Sequence, residues 1–188
     1  MVRLIDMNRR SFFEMLGTAS VALGLAKSAA SAESYDVEGK LEAMGLTLPE
    51  AARPVAVYAP YRISGNQVFI AGNIPPNDLA TPTFGKVGKD LTTEDAYIAA
   101  RHVGLRILAQ LKAACGGDLD RVVRCLQIRG FVNCTDDFTS QSSVINGVSE
   151  LLHEVFGEAG LGARAALGAN ALPLNASVEV ESIFEIRV

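Results

Sequence analysis

The chain has 188 residues, 49% of them apolar and 20% charged, with a formal net charge of −4. That composition fits one globular domain of ordinary size plus an extension. The acidic balance gives no general attraction to phosphate backbones, and 6% aromatic residues with no tryptophan leave few platforms for stacked bases. A nucleic-acid partner is therefore not expected.

The first segment is a candidate export signal. Arg9 and Arg10 precede Ser11-Phe12-Phe13, an apolar stretch follows over residues 17–26, and Ala30-Ser31-Ala32 closes it. This pattern predicts a twin-arginine signal over residues 1–32 and a periplasmic or otherwise exported protein. The apolar stretch is far short of the ~20 residues that span a bilayer, so no stable membrane anchor is expected. Cleavage after Ala32 would remove Arg3, Arg9, Arg10 and Lys27 but only Asp6 and Glu14, leaving 13 basic and 19 acidic residues, a net of −6. An amphipathic first helix is the competing reading.

Residues 33–54 read as an N-terminal extension. A short helix is expected over 37–44 with Gly45 as its stop, followed by a proline-punctuated surface stretch. Strands are expected over 55–63 and 67–71, joined by the hairpin signal Ser64-Gly65-Asn66. Residues 72–89, with their prolines and glycines, read as loop. Thr92 and the acidic Glu94 and Asp95 then open a helix to about Cys115, its apolar stripe running through Ala96, Ala99, Ala100, Val103, Ile107, Leu111 and Ala114.

A strand is expected over 121–132 with Val122, Leu126, Ile128 and Val132 on one face, and a second helix over 142–156 ended by Gly157. Two strands complete the chain, 163–169 and 177–188. In the last, Val178, Val180, Phe184, Ile186 and Val188 alternate with Glu179, Glu181, Glu185 and Arg187. The order is ββαβαββ, an α+β domain with two helices on one face of a mixed sheet. The other face needs water or a partner, which association of subunits would supply.

Three cysteines, Cys115, Cys125 and Cys134, come without a CxxC pair or a histidine cluster, so no metal site is expected. Cys125 and Cys134 lie on or beside one extended segment, about 30 Å apart at strand rise, too far to pair. His102 and His153 sit in amphipathic helices beside charged residues and read as solvated helix positions. Arg164 stands among small apolar residues; on a central strand its charge would need an anion, either a ligand or an acidic side chain. Glu179 belongs to the row Glu179, Glu181 and Glu185. Such a row is ordinarily a solvated face, but crowding and desolvation at an interface would raise a carboxyl pKa and ready it for proton transfer.

Three segments in order carry a resemblance to a known family. Residues 68–75 (Val-Phe-Ile-Ala-Gly-Asn-Ile-Pro), residues 162–166 (Gly-Ala-Arg-Ala-Ala), and Leu172-Pro173 followed by residues 178–183 (Val-Glu-Val-Glu-Ser-Ile) resemble the signature segments of RidA/YjgF proteins. The similarity covers residues 55–188. It implies a chorismate-mutase-like fold, a homotrimer with pockets between subunits, and hydrolysis of 2-imino or enamine acids to 2-oxo acids and ammonia without metal or organic cofactor. Carried over residue by residue, it places carboxylate binding at Arg164, water orientation at Glu179, and pocket-lining roles at Tyr58, Gly72, Asn146 and Ala166. Two positions depart from the pattern: the pocket serine falls on Ala71 and the cysteine after the arginine falls on Ala166. Both imply a less polar pocket and a larger or more apolar substrate. The opening at residues 38–49 is similar to a separate branch of the family. The expected ligand is a small carboxylate-bearing molecule, with a non-catalytic carboxylate-binding trimer as the alternative and an endoribonuclease disfavoured by charge.

Overall fold

The computed structural model describes residues 36–51, 53 and 56–188; the candidate export signal and the start of the first expected strand lie outside them. Helix α1 (Val37–Ala43) is opened by Asp36, whose carboxylate accepts the Gly39 N–H at 2.8 Å, and Gly45 follows it at a φ of 67°. A left-handed residue after a helix is what glycine accommodates without steric cost. Val37 and Leu41 are buried in the main core. Glu38 accepts the Leu119 N–H and pairs with Lys112 at 3.2 Å, tying α1 to the end of the long helix.

Strands β1 (Tyr61–Ser64) and β2 (Gln67–Asn73) form the expected hairpin, with Gly65 at a φ of 60° in its two-residue turn. The first strand is shorter than its sequence predicts. Tyr58 donates its N–H to Ala56, bending the chain, and Pro60 has no N–H for a ladder. The second runs two residues further than expected, through Gly72 and Asn73.

Helix α2 (Thr93–Ala114) carries a full capping box, Thr92 and Asp95 each binding the other's backbone N–H. Strand β3 (Val122–Asn133), helix α3 (Gln141–Phe156) and strand β4 (Ala163–Ala169) form a β-α-β unit, so β3 and β4 are parallel. Strand β5 (Val178–Ile186) returns antiparallel between β2 and β3, and the sheet order is β1-β2-β5-β3-β4. The arrangement is the expected α+β topology.

Helices α2 and α3 cover one face. Ala96, Ala99, Ala100, Val103, Ile107 and Leu111 of α2 and Val144, Val148, Leu151, Leu152, Val155 and Phe156 of α3 are all buried. Burial of each large side chain contributes roughly 1.5–3 kcal/mol. The helices approach closely at glycines: a Cβ on Gly147 would run into the Tyr97 carbonyl and one on Gly104 into Leu151.

Three expectations about facing are corrected. Register shifts in β3 between Val122 and Arg124 and between Cys125 and Gln127 turn Cys125 into the core in place of Leu126, which is half-buried. A bulge inserts a residue into the alternation, which a simple count of two does not anticipate. Val188 lies beyond β5 and is exposed, while Ser182 occupies the inward row. Finally, β4 is an edge strand, so Arg164 is not held on a central one. All three cysteines are buried and unpaired, and burial pushes the Cys125 thiol up to about 12.

Candidate functional site

Two places on the fold hold the candidate residues. The first is a cleft of about 1090 Å³ at the corner where β1 gives out. Beyond Ile70 the β1–β2 ladder ends, and on that side Pro60 accepts the Ala71 N–H at 3.0 Å. Wall residues therefore come from both sides of the sheet: Tyr58, Ala71, Gly72 and Glu179 with Arg106 and Gln110 of α2. Pro75, Pro76 and Pro173 stiffen its rim.

Glu179 is distinguished from its two neighbours in the row by what faces it. Across the β3–β5 ladder, Glu181 meets Arg129 and Glu185 meets Arg124, and both form ion pairs, at 2.7 and 2.9 Å. Glu179 is registered against Phe131, which offers no charge, and among the described residues it has no ion pair. Its carboxylate lies over Gly72, in space that any Cβ there would occupy. Burial, and then the charge of Glu181, raise its pKa above the ordinary carboxylate range. The sequence reading of a uniform solvated row therefore fits Glu181 and Glu185 but not Glu179.

Arg164 occupies the second place. Its Nη1 donates to Asn146 Oδ1 at 2.8 Å and to Ser149 Oγ at 3.1 Å, both on α3. It is exposed, and no carboxylate pairs with it among the described residues. Two neutral acceptors orient the guanidinium and leave its remaining N–H donors free for an anion. Ala166, two residues along the same face of β4, is half-buried against the core. Asn146 and Arg164, expected together from the sequence, are in contact; Ser149 was not anticipated, although it is one helical turn from Asn146.

Within one protomer the two places do not meet. Arg164 reaches toward α3 on the helix-covered side, whereas Glu179 alternates with the buried Val178 and Val180 and so points to the open side. Strand β3 also lies between β4 and β5. Neither histidine joins the cleft: His153 Nδ1 lies 3.0 Å from the Gly157 carbonyl, to which it donates, and His102 is held below its usual pKa by burial and Arg101.

Arg53, Arg106 and Gln110 were not singled out from the sequence. Arg106 and Gln110 share one stripe of α2 with His102, which reads from sequence alone as a solvated polar face. The acidic group of Glu38, Asp118 and Asp120 is committed to capping: Asp120 accepts the Val37 N–H, Asp118 the Asp120 N–H and Glu38 the Leu119 N–H.

Known proteins resemble this chain along most of its length. A crystal structure of Atu1372, a protein of unknown function from Agrobacterium tumefaciens, is 43% identical and superposes with a TM-score of 0.74, covering 80% of this chain and 92% of that one. A Shewanella oneidensis structure described as a "putative endoribonuclease" is 35% identical with a TM-score of 0.75, covering 80% and 99%. Protein TCP17 of Trypanosoma cruzi is 42% identical over 151 residues, 80% of this chain and 94% of that protein. RidA from a Psychrobacter species superposes at 0.50 with 25% identity. The family model described as "YjgF/chorismate_mutase-like, putative endoribonuclease" matches residues 38–186, which take in α1 as well as the sheet and both long helices. The chain therefore belongs to the YjgF/chorismate-mutase-like family, to which the order of its elements and the three signature segments had pointed.

Proposed function

We propose that this protein hydrolyses 2-imino or enamine acids to 2-oxo acids and ammonia, in pockets completed where copies of the chain meet in a homotrimer. The observation that carries this reading is Glu179: one carboxylate of three is left without a cation, set over Gly72 in a cleft, with its proton affinity raised. A carboxylate whose proton affinity is raised is the better proton acceptor. Arg164 supplies the complementary half. It is pre-oriented by Asn146 and Ser149 at a sheet edge, with donors free for a substrate carboxylate. Because it faces away from the cleft of its own protomer, it can work with Glu179 only across an interface.

The open face of the sheet supports such an interface. Phe69 and Leu167 are 41% and 49% exposed there, an apolar surface that association would cover. In the pocket, Arg164 of one copy holds the substrate carboxylate while Glu179 of another holds a water at the imine carbon. As the new C–O bond forms on the protonated imine, Glu179 takes a proton from that water. It then returns the proton to the amine nitrogen, the C–N bond breaks, and the hydroxyl proton leaves with ammonia as ammonium. Substrate, water and products balance without a redox step.

Hydrolysis of freshly generated 2-imino acids by the full chain, beside Arg164→Ala and Glu179→Gln, tests this. Acceleration by the parent that is lost in both variants is the expected result. Carboxylate binding that depends on Arg164, with no acceleration of any imine, would leave a non-catalytic binding trimer. An endoribonuclease would instead lose activity steeply with added salt.

A further inference from the structure

We propose that the cleft takes a substrate with two carboxylates, and that Arg106 of α2 receives the one distal to the reacting carbon. The inference rests on the hydrolase reading for the first carboxylate and names the substrate class of the same site. It starts from the cations of α2. Arg101 pairs with Glu154 at 2.5 Å and Lys112 with Glu38 at 3.2 Å. Arg106, half-buried between them, has no carboxylate within 4.0 Å among the described residues, and it lines the cleft one helical turn from Gln110. Arg53 lines the same cleft. Among the described residues on the cleft wall the one acidic side chain is Glu179, which the proposed reaction assigns to the water.

Charge balance then selects the ligand. A substrate with a single carboxylate would satisfy the neighbouring copy's Arg164 and leave Arg106 uncompensated once the pocket is covered, which is costly for a half-buried cation. A second carboxylate removes that cost, and the planar guanidinium can hold it by two parallel hydrogen bonds. Size agrees. A cleft of about 1090 Å³ is at the upper end for small-molecule sites, far more than an alanine-derived imine needs. Ile74, Phe84 and Pro173 give apolar wall for the carbons between the two charges. The enlarged pocket implied by Ala71 thus serves a longer substrate with a charged end, rather than an apolar one.

The test compares imines of aspartate and glutamate with those of alanine and leucine, using the full chain, Arg106→Ala and Arg106→Gln. Glutarate and pentanoate binding are measured by calorimetry in parallel. The parent should favour the diacid imines, and in both variants the ratio of kcat/KM for diacid over monoacid imines should fall roughly 10- to 100-fold. Monoacid imines hydrolysed as well as diacids, or a loss in the variants shared equally by both classes, would overturn the dicarboxylate assignment and leave the hydrolase standing. If no imine is hydrolysed but glutarate binds the parent and not the variants, the hydrolase fails and Arg106 remains an anion site.

Discussion

The two faces of the sheet share strand β5 but obey different rules. On the helix-covered face Val178, Val180, Ser182, Phe184 and Ile186 are closed under α2 and α3, and nearly every neighbour is apolar. On the open face Glu179, Glu181, Ile183 and Glu185 alternate with them, and whether each carboxylate forms an ion pair follows the residue opposite it on β3. Packing on the first face is collective, so one residue is much like the next. On the second, register decides individually: an arginine opposite makes an ion pair, and a phenylalanine opposite leaves a carboxylate without a cation. The same nine residues build the core and put Glu179 on the cleft wall.

Substitutions that separate the two faces sharpen this contrast. Glu179→Gln, nearly isosteric, should reduce kcat by roughly 10²- to 10⁴-fold with the fold unchanged by circular dichroism; activity within a few-fold of the parent would remove Glu179 from the chemistry. Phe184→Ala, five residues along the same strand but on the other face, should lower unfolding free energy by about 3–5 kcal/mol in urea titration. Gly72→Ala should displace the Glu179 carboxylate and cut turnover about tenfold or more while costing little stability, a change seen in kcat rather than in the denaturation midpoint.

Two smaller effects follow from the raised pKa of Glu179. Its folded-state affinity for a proton exceeds that of the unfolded chain, so this group makes stability fall as pH rises from the ordinary carboxylate range through the raised value. Glu179→Gln should therefore be slightly more stable than the parent at neutral pH, and the gain should vanish in acid. Removing the neighbouring charge with Glu181→Gln should move the acid limb of the pH–rate profile downward, because Glu181 is one cause of the shift. The Arg129–Glu181 pair is largely exposed, so its loss should cost no more than about 1 kcal/mol. An unmoved acid limb would mean that burial alone governs Glu179.

Much was legible before any coordinates. Thr92 with Asp95, Gly65 in its turn, the stripes of α2 and α3, and the alternation of β5 are local signals read at fixed spacing, because helix and strand repeats are properties of the backbone. They determined the order of elements, the helix boundaries to within a residue or two, and most of the core. The family resemblance added Arg164, Glu179, Tyr58, Gly72, Asn146 and Ala166 as candidates. Only the tertiary structure decided that β4 is an edge strand, that the bulges of β3 bring Cys125 inward, that Phe131 rather than an arginine stands opposite Glu179, and that Arg106 enters the cleft. Each of these depends on which strands lie side by side and in what register, and such pairings join residues tens of positions apart that no short stretch of sequence encodes.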